Sequence, residues 1–181
     1  MPLSTQKNKF TVLDLTKFSM LGTIMFLSKI IMQWIPSIHL LAMFIAAFTL
    51  TYRIKALIPL YIYIFIDGIF AGFAMWWLPY LYIWAPLWGA VMLVSELKLP
   101  HDVQVVALMI VCGFHGLSFG TMYAPSQALM YGLSFKATIA WISFGLPFDI
   151  VHGIGDFFAA SLVIPLCTLL KKIDNESKYT K

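Results

Sequence analysis

Charge is scarce in this chain. Only 11% of its 181 residues are Asp, Glu, Lys or Arg, against about 25% in ordinary soluble domains. Cysteine is rarer still: Cys112 and Cys167 lie in apolar segments at different expected depths, which argues against a disulfide and leaves both as packing residues. A GxxxxGK[ST] phosphate loop is missing, so the chain does not itself use ATP in that way. Asp67, His115, Asp149, His152 and Asp156 include hard or borderline metal ligands, but neither a His-x3-His pair nor a Cys-rich cluster supports a site, and no metal or other cofactor is expected. No serine stands beside His152 in a hydrolase pattern, so no catalytic residue is assigned. The sequence also lacks internal repeats, low-complexity tracts and a small-x-small cleavage site after its first apolar run. That run reads as a retained span rather than a signal peptide.

What is present is apolar: 61% hydrophobic residues and a mean hydropathy of +0.86. A soluble chain of this length could not bury that much apolar surface, so the solvent for its exterior is lipid. At roughly 20 residues per crossing, the pattern predicts an all-α integral membrane protein, a single-domain compact bundle of six transmembrane helices. The expected spans are 15–35, 37–52, 56–75, 80–97, 103–123 and 147–170, with 124–146 an extracellular loop or lid containing a short surface helix. Lys7, Lys9, Lys17, Arg53, Lys55, Lys98, Lys171, Lys172, Lys178 and Lys181 then share one side. By the positive-inside rule both termini are cytoplasmic. That placement accounts for the net charge of +4 without nucleic acid.

Polar residues within the spans are costly in hydrocarbon and mark interiors or watery cavities. Lys29 either snorkels or pairs with an intramembrane aspartate. Asp67 needs a partner from another helix or a ligand. His115 sits among Gly113, Gly116 and Gly120, whereas His39, at the entrance to span two, reads as an interfacial residue. Gly68 and Gly72 form a GxxxG pair of the kind that allows tight helix packing, and Ser19 and Thr23 form a small-xxx-small pair on span one. Asp149, His152 and Asp156 share one helical face at the start of span six. Pro147 is read as its first helical residue, so Asp149 either caps that helix or contacts a ligand. Asp156 pairs with Lys29 or His115, or joins the same wall.

Every tryptophan is expected in the outer half of this topology. An anchoring belt would occupy both interfaces. The excess therefore predicts an aromatic basin, with Trp76 and Trp84 assigned to the belt.

The pair Ser19-x-x-x-Thr23, the Trp/Pro-rich loop from Trp76 to Trp84, and the stretch Phe148-Asp-Ile-Val-His-Gly-Ile-Gly-Asp156 together resemble the substrate-binding (S) component of energy-coupling factor (ECF) vitamin transporters. The likeness extends over essentially the whole chain. It implies a subunit of a bacterial-type cell membrane that captures a vitamin or precursor at the extracellular side. It further implies delivery through a transmembrane coupling protein bound to two ABC-type ATPases. In that family the first helix docks on its partner through an AxxxA pattern, which Ser19 and Thr23 match in position. The expected substrate-binding residues are Trp34, Asp67, Trp77, Trp88, His115, Trp141, Asp149 and His152. A stand-alone proton-coupled transporter, with Asp67, Asp156 and His152 as a relay, and a structural or assembly protein are the alternatives.

Overall fold

The computed structural model describes residues 10–179, with side chains to residue 176. Lys7, Lys9 and Lys181 lie outside the described residues, as does the side chain of Lys178. Among the described residues the chain is all-helical, and five stretches are long and apolar enough to cross a membrane: Val12–Met32, Leu41–Ala71, Met75–Glu96, His101–Tyr131 and Phe135–Glu176.

Helix α1, Val12–Met32, starts at a capping box. The Thr11 hydroxyl accepts from the Asp14 N–H, and the Asp14 carboxylate accepts from the Thr11 N–H, each at 3.1 Å. Two of the helix's otherwise unpaired donors are thereby satisfied. The stretch Leu41–Ala71 comprises two helices. In α2, Leu41–Tyr52, eight of the twelve residues are buried and the other four half-buried, as expected for a helix enclosed by its neighbours. It lies among α1 and helices α5, Ala85–Glu96, α6, His101–Leu117, and α9, Val163–Tyr179. Arg53, at φ +58°, then turns the chain, and a 3-10 segment, Arg53–Ala56, leads into α3, Leu57–Ala71.

Helices α1 and α3 approach at Gly22, where a Cβ would come within 2.7 Å of Ile62 and 2.8 Å of the Pro59 carbonyl. Ser19 and Thr23 are not part of that contact: Thr23 is exposed and Ser19 half-buried. The Gly68/Gly72 pair also works differently from expectation. Gly68 makes room for Phe73 and Trp77 from the following loop, and Gly72, at φ +87°, ends α3 in a conformation that suits glycine.

After the short α4, Tyr80–Ile83, the largest helix contact joins α6 to α8, Phe135–Ala159. Small residues bring the two backbones together. A Cβ on Gly116 would lie 2.8 Å from the Gly153 Cα and 3.0 Å from the Asp156 carboxylate.

The start of α8 corrects the expectation for span six. The helix begins at Phe135, capped by Ser134, whose hydroxyl accepts from the Ala137 N–H; Pro147 lies inside it. Residues 124–146 are therefore helical almost throughout, shared between α7, Phe119–Tyr131, and α8, with Gly132 (φ +64°) ending α7. A 3-10 segment, Ala160–Leu162, separates α8 from α9. Pro165 explains the break, because a proline ring clashes with the carbonyl four residues earlier, here that of Ser161.

Side-chain contacts define two ends. At one, Lys17 reaches Asp174 at 3.3 Å and lies 4.5 Å from the Tyr52 ring, and Arg53 donates to Ser95 and Glu96. This end joins the starts of α1 and α3 to the ends of α2, α5 and α9. The opposite end carries the buried Asp67, His115, Asp149, His152 and Asp156.

Candidate functional site

Lys29, near the end of α1, settles one question left open by the sequence. Its ammonium donates to both oxygens of Asp67 on α3, at 2.7 and 2.6 Å, and lies 5.8 Å from the rings of Trp76 and Tyr80. Asp67 is buried, so the bridge neutralises a carboxylate that water barely reaches. Asp156 consequently takes other partners.

Those partners come from two places. His152 stands one helical turn before Asp156 on α8, and its Nε2 is 3.3 Å from Asp156 Oδ2. His39, in the link between α1 and α2, brings its Nδ1 to 4.0 Å from Asp156 Oδ1. The two imidazoles meet edge to face, with centroids 4.5 Å apart. The three donor groups lie within 4.8 Å of one another. Gly116 and Gly153 make this possible, because their missing side chains let α8 carry Asp156 up against α6.

An aromatic shell surrounds the set. Trp84 stacks on His115 at 5.3 Å and meets His39 at 6.2 Å, while Phe119 contacts His152 at 4.9 Å and His115 at 6.2 Å. His115 Nε2 lies 2.9 Å from the Ile83 carbonyl. Since a carbonyl only accepts, Nε2 carries the proton and Nδ1 holds the lone pair. A groove walled by Pro86, Leu87, Phe114, Ser118 and Met122 reaches His115 from outside. Beyond the His152–Asp156 contact, the buried side-chain atoms His39 Nδ1, Tyr63 Oη, Trp84 Nε1, His115 Nδ1, His152 Nε2 and both Asp156 oxygens find no hydrogen-bond partner among the described residues. Buried polar atoms are almost always satisfied, so such a concentration calls for a ligand, ion or water.

Asp149 acts a short way along α8. Both its oxygens accept from the Gly120 N–H at 3.1 Å. It does cap a helix start, but that of α7 rather than its own, and a side chain on Gly120 would collide with the carboxylate.

The other expected binding residues are dispersed. Trp34 is 84% exposed. Trp77 donates to the Ile64 carbonyl at 2.8 Å and packs on Phe65 and Phe73. Trp141 stacks on Tyr123, whose hydroxyl donates to the Trp76 carbonyl at 2.6 Å. Trp88 departs from the outer-half assignment: its Nε1 donates to the Arg53 carbonyl at 3.3 Å, toward the opposite end. Of the eight, His115 and His152 come together. The sequence reading omitted His39, Trp84 and Asp156 from its binding set. Trp84, assigned to a belt, is only 1% exposed and forms the centre of the aromatic shell.

No family model, curated protein or solved structure matches this chain.

Proposed function

We propose that the chain is the substrate-specific membrane subunit of an ECF-type importer. It captures a vitamin or vitamin precursor at the extracellular side and passes it through an ATPase-driven coupling module. The observation that carries this reading is the group of buried polar atoms around Trp84, His115 and His152 without hydrogen-bond partners among the described residues, of which His115 also lines a groove open to the outside. An aromatic-walled site with a few convergent polar groups is the usual form of a small-molecule pocket.

Two features support six crossings with both termini in the cytoplasm. The chain reverses at Arg53, dividing Leu41–Ala71 into two helices, and Lys17 meets Asp174, joining the first helix to the last at the lysine-rich end. The opposite end, with the candidate pocket, is then extracellular. Ser19, half-buried, and Thr23, exposed, line an open groove along α1 with Thr16 and Met20 and suit docking on the coupling protein.

The test is mass spectrometry of small molecules released from the purified chain, together with co-expression of a coupling protein and two ATPases. One vitamin-class compound should be released, and the chain should co-purify with the module. A chain that releases no such compound, is not thermally stabilised by any vitamin or precursor, and ignores the module overturns the reading. The stand-alone proton-coupled alternative is favoured by the adjacency of His39, His152 and Asp156. It requires pH-gradient-driven uptake by the chain alone in proteoliposomes.

A further inference from the structure

We propose that His39 Nδ1, His152 Nε2 and the Asp156 carboxylate hold a divalent transition-metal ion of the zinc, cobalt and nickel class. The inference goes beyond the importer reading and does not depend on it, because it concerns what satisfies three side chains of this chain. It also reverses the expectation from sequence that no metal is bound.

Geometry is the first argument. With metal–ligand bonds of about 2.0–2.2 Å, donors around a tetrahedral ion stand roughly 3.4 Å apart. His152 Nε2 and Asp156 Oδ2 are 3.3 Å apart, His39 Nδ1 and Asp156 Oδ1 are 4.0 Å apart, and all three groups fall within 4.8 Å. Charge-assisted N–H···O bonds run at about 2.7–2.9 Å, so the histidine contacts are long for an ion-paired network. Apart from the His152–Asp156 contact at 3.3 Å, these donor atoms have no hydrogen-bond partner among the described residues.

Charge gives the second argument. The Asp156 side chain is 0% exposed and its close polar neighbours are the two imidazoles, and a buried carboxylate is strongly unfavourable unless its charge is compensated. Lys29 is committed to Asp67 at 2.6 Å. A divalent ion supplies the missing positive charge and takes the imidazole lone pairs at the same time.

Donor chemistry selects the class. Two imidazoles and one carboxylate suit borderline ions such as zinc, cobalt and nickel, whereas magnesium and calcium prefer all-oxygen sites. The surrounding Trp84 and Phe119 rings keep the site poor in water. Three protein donors leave a position open, the pattern of sites that bind or exchange a further ligand rather than closed structural sites.

The experiment uses the full chain, stripped with chelator and reconstituted in lipid nanodiscs, titrated with Co2+ and followed by its visible d–d absorption. Equilibrium dialysis with Zn2+ and elemental analysis gives the stoichiometry. The expected result is tetrahedral Co2+ bands saturating at one ion per chain and displaced by Zn2+. His39→Ala, His152→Ala and Asp156→Asn should each weaken binding by at least about tenfold, the scale at which metal sites respond even to loss of supporting partners. His101→Ala removes an exposed His–Asp pair at the other end and should leave the spectrum unchanged. A wild-type chain without Co2+ bands, or one that retains no more Zn2+ than the triple variant, overturns the proposal and leaves water or a protonated Asp156 in the cluster. The wild-type titration decides this even if a variant misfolds. Because no vitamin is involved, its failure is distinct from failure of the importer reading.

Discussion

At one end of the bundle, Lys17 and Asp174 pair with side chains 28% and 26% exposed, and Arg53 and Glu96 with side chains 44% and 64% exposed. At the other, Lys29, 30% exposed, bridges to an Asp67 that is 2% exposed, and Asp156, with no exposure at all, lies beside two histidines. Charges at the first end stay in contact with water and need their partners little. The carboxylates of the second, Asp67 and Asp156, have left water, so each is neutralised by a partner or obliged to find one. The contrast separates charges that orient a membrane protein from charges that give it chemistry.

The comparison can be broken by breaking the pairs. The largest effect is expected for Lys29→Ala, which strands Asp67 and should cost about 3–5 kcal/mol, read as a lower unfolding temperature in detergent. Removing both charges with Lys29→Met and Asp67→Leu should recover most of that loss. Recovery of nothing would mean that the pair is not the stabilising feature. Next is Gly116→Ala, whose methyl meets the Gly153 backbone and Asp156. About 1–3 kcal/mol is expected, together with weaker Co2+ binding.

Asp149→Ala removes the cap on α7 and should cost about 1 kcal/mol, with faster amide exchange at Gly120 as its local mark. The smallest effect belongs to the exposed end: Asp174→Ala should cost less than about 1 kcal/mol and lose even that in high salt. A larger, salt-insensitive loss there would erase the distinction between the ends. Arg53 offers a finer check. Its positive φ favours glycine, so Arg53→Gly should be at least as stable as Arg53→Ala although both lose the contacts to Ser95 and Glu96.

Sequence reasoning went furthest where one helix carries the pattern. The shared face of Asp149, His152 and Asp156 follows from spacing alone, and the cost of an unpaired ammonium made an aspartate partner for Lys29 a natural expectation. It fell short where a residue's role depends on a distant segment. His39 looks interfacial from its position before α2, and only the α6–α8 contact brings His152 and Asp156 to it. Trp84 belongs to a Trp/Tyr-rich run that also describes a belt, and composition does not distinguish a wet indole from a buried one. Pro147 misled because proline favours the first turn of a helix. The better signal was Ser134, just after the αL glycine Gly132, which stops one helix and starts the next. Asp149 was legible as a cap, but nothing local to it names α7 as the helix capped.

Trp84 turns the candidate site into something that can be watched. Its indole is sealed from water, stacked on His115 and edge-on to His39, whereas Trp34 stands in the open. Its emission should therefore lie to the blue of Trp34's and resist aqueous collisional quenchers that extinguish Trp34 first. A paramagnetic ion arriving beside His39 would darken Trp84 before any other indole. Occupancy of the buried end is thus written in the chain's own light, with no label to attach.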